Sequence, residues 1–416
     1  MADPIKKITL RGGKVRYRFV IDVGSVPRKD DAGQVVVNPD TGKPVMQRKQ
    51  LTVTKDTRKE AVAEYGRIQH QKAVGTFVVP SKVTVAELVD TWLAEVTGDV
   101  EAKTARSYID AMEYVKTHFG DGKLVQQLTE EDVQGLVTWM LTSARRIGGT
   151  PGTGLGARTV ALTLGRLRAV LVLGMRRGIL ARNVAQYVTI PKAARKAARV
   201  RQRERKPWDE TEVRQFLTGI RDTREYGGWM LTFIAERPAE VCGARWEEDI
   251  DLENGTTTIG NTRTLVYDPS LPRGERSVVV EKDAKTEAGE RVLPLPRPTW
   301  TGLREFRKTQ VAERLAAGEA YEHSGYVMVD HLGRPWKPDK LRREAYKLMK
   351  AVGVRKVRLY DARHAILTWM ANNGVPDTVV SAWAGHSDLG FTKRVYVHPD
   401  PQSLRAGSDR LADLLG

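Results

Sequence analysis

One cysteine, Cys242, stands in a chain of 416 residues, so no disulfide can form within it and a cysteine-rich zinc site is excluded. Dithiol redox chemistry goes with it. The seven histidines are not spaced as a metal-binding pair. No Gly-x-x-x-x-Gly-Lys-Ser/Thr phosphate loop occurs, and no Gly-x-Gly-x-x-Gly follows a predicted strand. Any chemistry is therefore expected to proceed without nucleotide, metal or other cofactor. Long apolar runs are also missing. The longest, about Ala169–Met175, falls far short of the roughly 20 residues that span a bilayer. Met1–Lys7 lacks the pattern of a signal peptide. The expectation is a soluble, intracellular protein.

Negative charge is the remaining shortage. Against 68 Lys and Arg stand 51 Asp and Glu, a formal net charge of +17, and the basic residues recur along the whole length. A polyanion fits this distribution, because a basic face spread over several modules neutralises many phosphates and releases their counterions. Nucleic acid leads; an anionic membrane surface is the rival. At about 100–200 residues per domain, the length accommodates two or three domains.

Residues 1–78 read as a small module. Ile8–Leu10 and Val15–Ile21 flank Gly12-Gly13 as a hairpin, and Gln47–Thr54 offers a third strand. Thr57 with Glu60 predicts a capped helix with Ala61, Tyr65 and Ile68 on one face. Residues 79–190 read as helical. Thr84 and Glu87 form a second capping box ahead of Val85, Leu88, Val89, Trp92 and Leu93 at helical spacing. Further helices are predicted at about Ala102–Phe119, from the Thr129 cap to Leu141, and at about Arg158–Arg177, giving a four-helix domain. Lys103, Arg106, Arg158 and Arg166 are candidates to face phosphates. Residues 191–207 hold eight basic residues and one acidic between Pro191 and Pro207, and read as a linker. Lys192, Arg195, Lys196 and Arg199 are its candidate DNA contacts. From Trp208 onward helices mix with a short sheet, with strands expected at Thr256–Ile259, Thr262–Tyr267, Ser277–Glu281 and Arg291–Pro294.

Polar residues interrupt apparent core in this last region. Arg237 and Glu240 follow the apolar stretch Trp229–Ala235, Arg363 and His364 open an apolar helix, and His386 and Tyr396 sit beyond the break at Ala384-Gly385. Taken singly, each reads as a surface charge or a satisfied core group. Together they form a pattern. Arg237-Pro-Ala-Glu240, Lys285-Thr286 ahead of Arg291-Val-Leu-Pro-Leu-Pro296, Asp361-Ala-Arg363-His364, Gly385-His386 and Tyr396 resemble, in order and spacing, the boxes of the tyrosine recombinase family, the site-specific recombinases of phage-integrase type.

The resemblance implies a multidomain α+β protein. Residues 1–78 would be an arm-type DNA-binding module of sheet plus helix, 79–190 an all-α core-type binder, 191–207 the basic linker, 208–400 a mixed α/β catalytic domain and 401–416 a tail. It implies Arg237 and Arg363 as ligands of the scissile phosphate, Lys285 as the acid for the departing 5′-oxygen, and His386 as a phosphate hydrogen-bonder that assists proton transfer. Tyr396 would be the nucleophile, with Glu240 orienting Arg237. Tyr360 stands where His is usual and can donate a hydrogen bond but cannot become an imidazolium. Ala239 stands where Gly is common. The implied partners are double-stranded attachment sites and a homotetramer on DNA; a host DNA-bending protein and an excision factor stay open. Leu404, Leu411, Leu414 and Leu415 give the tail a short amphipathic stretch that would pass to a neighbouring protomer or fold back in cis. Two other readings remain at this point: a type IB topoisomerase with a similar residue set, and a DNA-binding regulator that has lost catalysis.

Overall fold

The computed structural model describes residues 3–386 and 390, apart from 11, 29, 31–33, 40, 147–148, 205, 269, 273 and 284–289. Lys285, Tyr396 and the tail leucines lie outside the described residues. The chain divides into two compact units, 1–201 and 202–416.

In the first unit, β1 (Lys6–Thr9), β2 (Val15–Pro27) and β3 (Met46–Lys55) pair as an antiparallel meander. The period of two in β2 turns Phe19 and Ile21 inward, where they meet Ala61 and Ile68 of α1 (Arg58–Ala73). The Phe19 and Tyr65 rings pack edge to face at 5.3 Å. Thr57 caps α1 by accepting from the Glu60 N–H at 3.2 Å. A second core in the same unit joins α2 (Val85–Val96), α3 (Ala102–Phe119), α4 (Glu130–Thr142) and α5 (Ala157–Arg176) around Leu88, Met112, Leu136, Leu167 and Leu171. The Thr84/Glu87 capping box is complete, with the Glu87 N–H donating at 3.2 Å and Glu87 accepting from the Thr84 N–H at 2.8 Å. The segment read as a linker contains a further helix, α6 (Lys192–Glu204). Alanine, lysine and arginine are strong helix formers, and Pro191 sets the entry without removing a needed N–H.

In the second unit the elements run α7 (Glu210–Gly219), α8 (Tyr226–Met230), α9 (Pro238–Gly243), α10 (Trp246–Asp249), β4 (Ile250–Asp251), β5 (Thr256–Ile259), β6 (Asn261–Tyr267), β7 (Ser277–Asp283), β8 (Arg291–Pro294), α11 (Arg297–Ala317), α12 (Pro338–Val352), α13 (Leu359–Asn372) and α14 (Asp377–Ala384). The four predicted strands are present but form two sheets rather than one, β4-β5-β8 and the two-stranded ribbon β6-β7. Only Gly260 separates β5 from β6, too little for a hairpin, so each finds its partner further along the chain. Trp208, Phe216, Trp229, Leu303, Phe306 and Leu341 anchor the core. Helix α9 lies directly on β6: a Cβ at Gly243 would stand 2.8 Å from the Asn261 carbonyl oxygen, so only glycine fits. Among the described residues no helix is long and apolar enough to cross a membrane.

Candidate active site

Three arginines converge on the C-terminal end of α14. That helix stops at Gly385, whose left-handed backbone (φ 61°, ψ 50°) ends it. The last carbonyls of a helix have no partner within it and carry its negative dipole end, so cations are favoured there. Arg291 donates from Nε to the Trp383 carbonyl at 2.8 Å. Arg237 donates from Nη2 to the carbonyls of Ala384 and Gly385, both at 3.2 Å. Arg363 donates to the Ala384 carbonyl and, through its other terminal nitrogen, to that of Ala235.

One carboxylate serves all three. Glu240, buried on α9, accepts from the Arg237 N–H at 2.7 Å and from Arg237 Nη1 at 2.5 Å. It also accepts from Arg291 at 3.1 and 3.3 Å, and lies 4.0 Å from Arg363. Burial raises its pKa, but the Arg291 and Arg237 contacts outweigh that and leave it below the usual range, hence ionised. Arg363 is fully buried. Burial and the neighbouring Arg237 lower its pKa to about 10, which still leaves it charged at neutral pH.

The chain reaches Arg237 through a strained turn. Ala235 is the one non-glycine with positive φ among the described residues, at 66°, a conformation that costs an L-residue about 1–2 kcal/mol. Its inward-facing carbonyl is the one Arg363 grips. The backbone demand therefore falls at Ala235, while Ala239 sits within α9. Between Ala235 and Arg237 lies Glu236, 1% exposed, with neither carboxylate oxygen hydrogen-bonded. Burial, and then the charge of Glu240, push its pKa well above the ordinary value, which favours the protonated acid.

His386 follows Gly385 directly. Burial and the nearby Arg363, Arg237 and Arg291 charges lower its pKa to about 4, making it a neutral imidazole at pH 7. Tyr360 lies beside Arg237 and favours its charged form, and its ring meets that of His364 edge to face at 4.9 Å. The structure thus brings together Arg237, Tyr360, Arg363 and His386. Sequence reading gave no role to Arg291 or Glu236, whose place depends on contacts across the fold. Cys242 is buried beside this region, and burial raises its thiol to about 12.

The candidate DNA contacts are more dispersed. Lys103 and Arg158 are exposed on α3 and α5. Arg106 pairs with Asp110 at 2.6 Å, and Arg166 lies over the Tyr108 ring at 4.1 Å. Lys192, Arg195, Lys196 and Arg199 are all exposed, at the spacing of one face of α6.

Residues 209–403 match the model of the phage integrase family. A tyrosine recombinase XerC-like protein of Caldanaerobacter subterraneus subsp. tengcongensis is 23% identical over 414 residues, covering 97% of this chain and 98% of that one. An integrase of Streptomyces ambofaciens is 24% identical over 358 residues, 82% of each chain. Among solved structures, the Tn1549 transposon integrase in complex with transposon right-end DNA has a TM-score of 0.60 at 18% identity, covering 79% of this chain and 100% of that one. A lambda integrase dimer bound to a COC′ core site gives 0.52 at 11% identity, over 96% and 97%. Residues 209–403 of the chain belong to the phage integrase family of tyrosine recombinases.

Proposed function

We propose that this recombinase cuts and rejoins duplex attachment sites through a 3′-phosphotyrosyl bond to Tyr396. One observation carries the reading: three buried or half-buried guanidiniums, those of Arg237, Arg291 and Arg363, gather on the single carboxylate of Glu240, while burial disfavours charge on Glu236. Excess buried positive charge is costly without an anion. A phosphodiester supplies one negative charge, and a second develops as the phosphorane forms, so the cluster favours the transition state over the ground state. Planar, permanently charged guanidinium suits that task better than ammonium.

The Tyr396 oxygen attacks phosphorus and the P–O5′ bond breaks. The phenol proton leaves to a base, and O5′ is protonated by Lys285. Neutral His386 would hydrogen-bond the phosphate or accept a proton. The phosphotyrosyl bond keeps the energy of the diester, so a 5′-hydroxyl from the partner duplex reseals the strand without ATP. Four protomers would hold two duplexes through a Holliday junction. Residues 79–190 and α6 would grip the core site, and 1–78 the flanking arms.

A nicked substrate that lets the cleaved 5′-fragment diffuse away tests the chemistry. Wild type should accumulate a covalent adduct, and Tyr396→Phe should bind the same DNA yet form none. Adduct at normal yield from that variant would overturn the assignment. Product joining two different sites, rather than relaxation of one supercoiled circle, separates recombinase from topoisomerase.

A further inference from the structure

We propose that Glu281, held by Arg245 and Arg263, is a positioning residue that sets the base of the ribbon from which the Lys285 segment departs. Glu281 lies on β7 directly across from Arg263 on β6. Both of its carboxylate oxygens are engaged, Oε1 with Arg263 Nε at 3.2 Å and Oε2 with Arg245 Nη2 at 3.3 Å. Beneath them is Tyr326, whose ring lies 4.3 Å from the Arg263 guanidinium and 5.0 Å from that of Arg245. Its hydroxyl accepts from Arg245 at 3.1 Å. Arg263 is buried and also donates to the Trp336 carbonyl at 3.2 Å. An exposed ion pair is worth little, but a carboxylate tied to two anchored guanidiniums has a fixed position.

That position is referred back to the phosphate site. Arg245 follows α9 by two residues, and α9 begins beside Arg237 and carries Glu240. Its Gly243 rests on the backbone of β6. Residues 284–289, with Lys285 among them, connect Glu281's strand to β8, which opens at Arg291. Arg291 is itself held by Glu240 and the Trp383 carbonyl. Glu281 and Arg291, which flank the connecting residues in sequence, are thus each tied to α9 or its continuation. A general acid loses effectiveness when displaced by about 1 Å, so its supports matter as much as its pKa.

This inference rests on Lys285 as the leaving-group acid, and a sulfur substitution separates the two claims. With sulfur in place of the 5′-bridging oxygen, the leaving group is a thiolate, whose conjugate acid has a pKa near 8.5 and which needs no proton. Single-turnover cleavage of oxygen and sulfur substrates would be measured for wild type, Lys285→Ala, Glu281→Ala, Glu281→Gln and the Lys285→Ala/Glu281→Ala double variant. Lys285→Ala should lose about 10²–10⁴-fold on oxygen and recover on sulfur. Glu281→Ala should lose at least about tenfold on oxygen, recover on sulfur, and add nothing to the loss in the double variant. Glu281→Gln, which keeps shape and one acceptor, should fall between, and it serves if the alanine variant unfolds. Equal losses on both substrates, no loss, or additive losses in the double variant would overturn the positioning role. Failure of sulfur to rescue Lys285→Ala would instead overturn the acid itself.

Discussion

Arginine does different work in the two units, and burial accounts for the difference. In the second unit Arg363 has no exposed surface, and its guanidinium is fixed by the carbonyls of Ala235 and Ala384. On α6 of the first unit Arg195 and Arg199 stand in solvent with Lys192 and Lys196. A cation fixed in a dry pocket acts strongly on whatever charge develops there. A solvated cation contributes mainly by releasing counterions from DNA, a term that salt removes. Catalysis and affinity should accordingly separate by mutation.

The largest effect is expected at the pocket. Arg237→Ala should reduce covalent adduct formation by about 10²–10³-fold, the scale of losing one transition-state donor, with Arg237→Lys losing less. Core-site binding measured by gel shift should change little. Comparable losses in binding and cleavage would erase the distinction between the units. Arg363→Ala should be as severe in cleavage but also destabilise the fold, since it removes the donor to the Ala235 carbonyl and one of the two donors to that of Ala384.

An intermediate effect is expected on α6. Replacing Lys192, Arg195, Lys196 and Arg199 together with Ala should weaken binding and lower the slope of log K against log salt by up to about 3–4. At saturating DNA, Tyr396 adduct formation should keep nearly its normal rate. An unchanged slope would remove this face of α6 from the DNA interface.

The smallest effect concerns Glu236 and sharpens the comparison within the pocket. Its folded pKa lies above the ordinary value of 4.5. Below that pH both folded and unfolded chains keep the proton. As pH rises past it, the unfolded chain releases the proton while the folded one retains it, so stability is lost progressively until the folded pKa is reached. Glu236→Gln mimics the neutral acid and should flatten that decline in urea unfolding between pH 5 and 9. Parallel curves for the two proteins would mean that Glu236 is ionised in the fold.

Much of the architecture was legible because it rests on local rules. Thr84 and Glu87 cap α2 as their spacing predicts, and β5 and β8 occupy Thr256–Ile259 and Arg291–Pro294 as their β-branched and apolar alternation suggests. Helix α6 was hidden because its periodicity is in charge rather than apolarity. Pairing between β5 and β8 was hidden because it joins strands more than thirty residues apart. Within the site, Arg237, Arg363 and His386 could be picked out as polar residues in apolar surroundings. Arg291 could not, since its meaning lies in contacts with Glu240 and Trp383, 51 and 92 residues away. Nor could the raised pKa of Glu236, which in sequence is one more charge beside an arginine.

The burial of Cys242 has a practical consequence. A thiol with a pKa near 12 and almost no exposed surface presents negligible thiolate to an alkylating probe at neutral pH. The chain has no other cysteine. A fluorophore maleimide should therefore leave the native protein dark and label only a cysteine introduced by design, for example at Tyr187, which is 76% exposed. Single-molecule distance measurements between labelled protomers during synapsis could then be made without first stripping the protein of its own thiol.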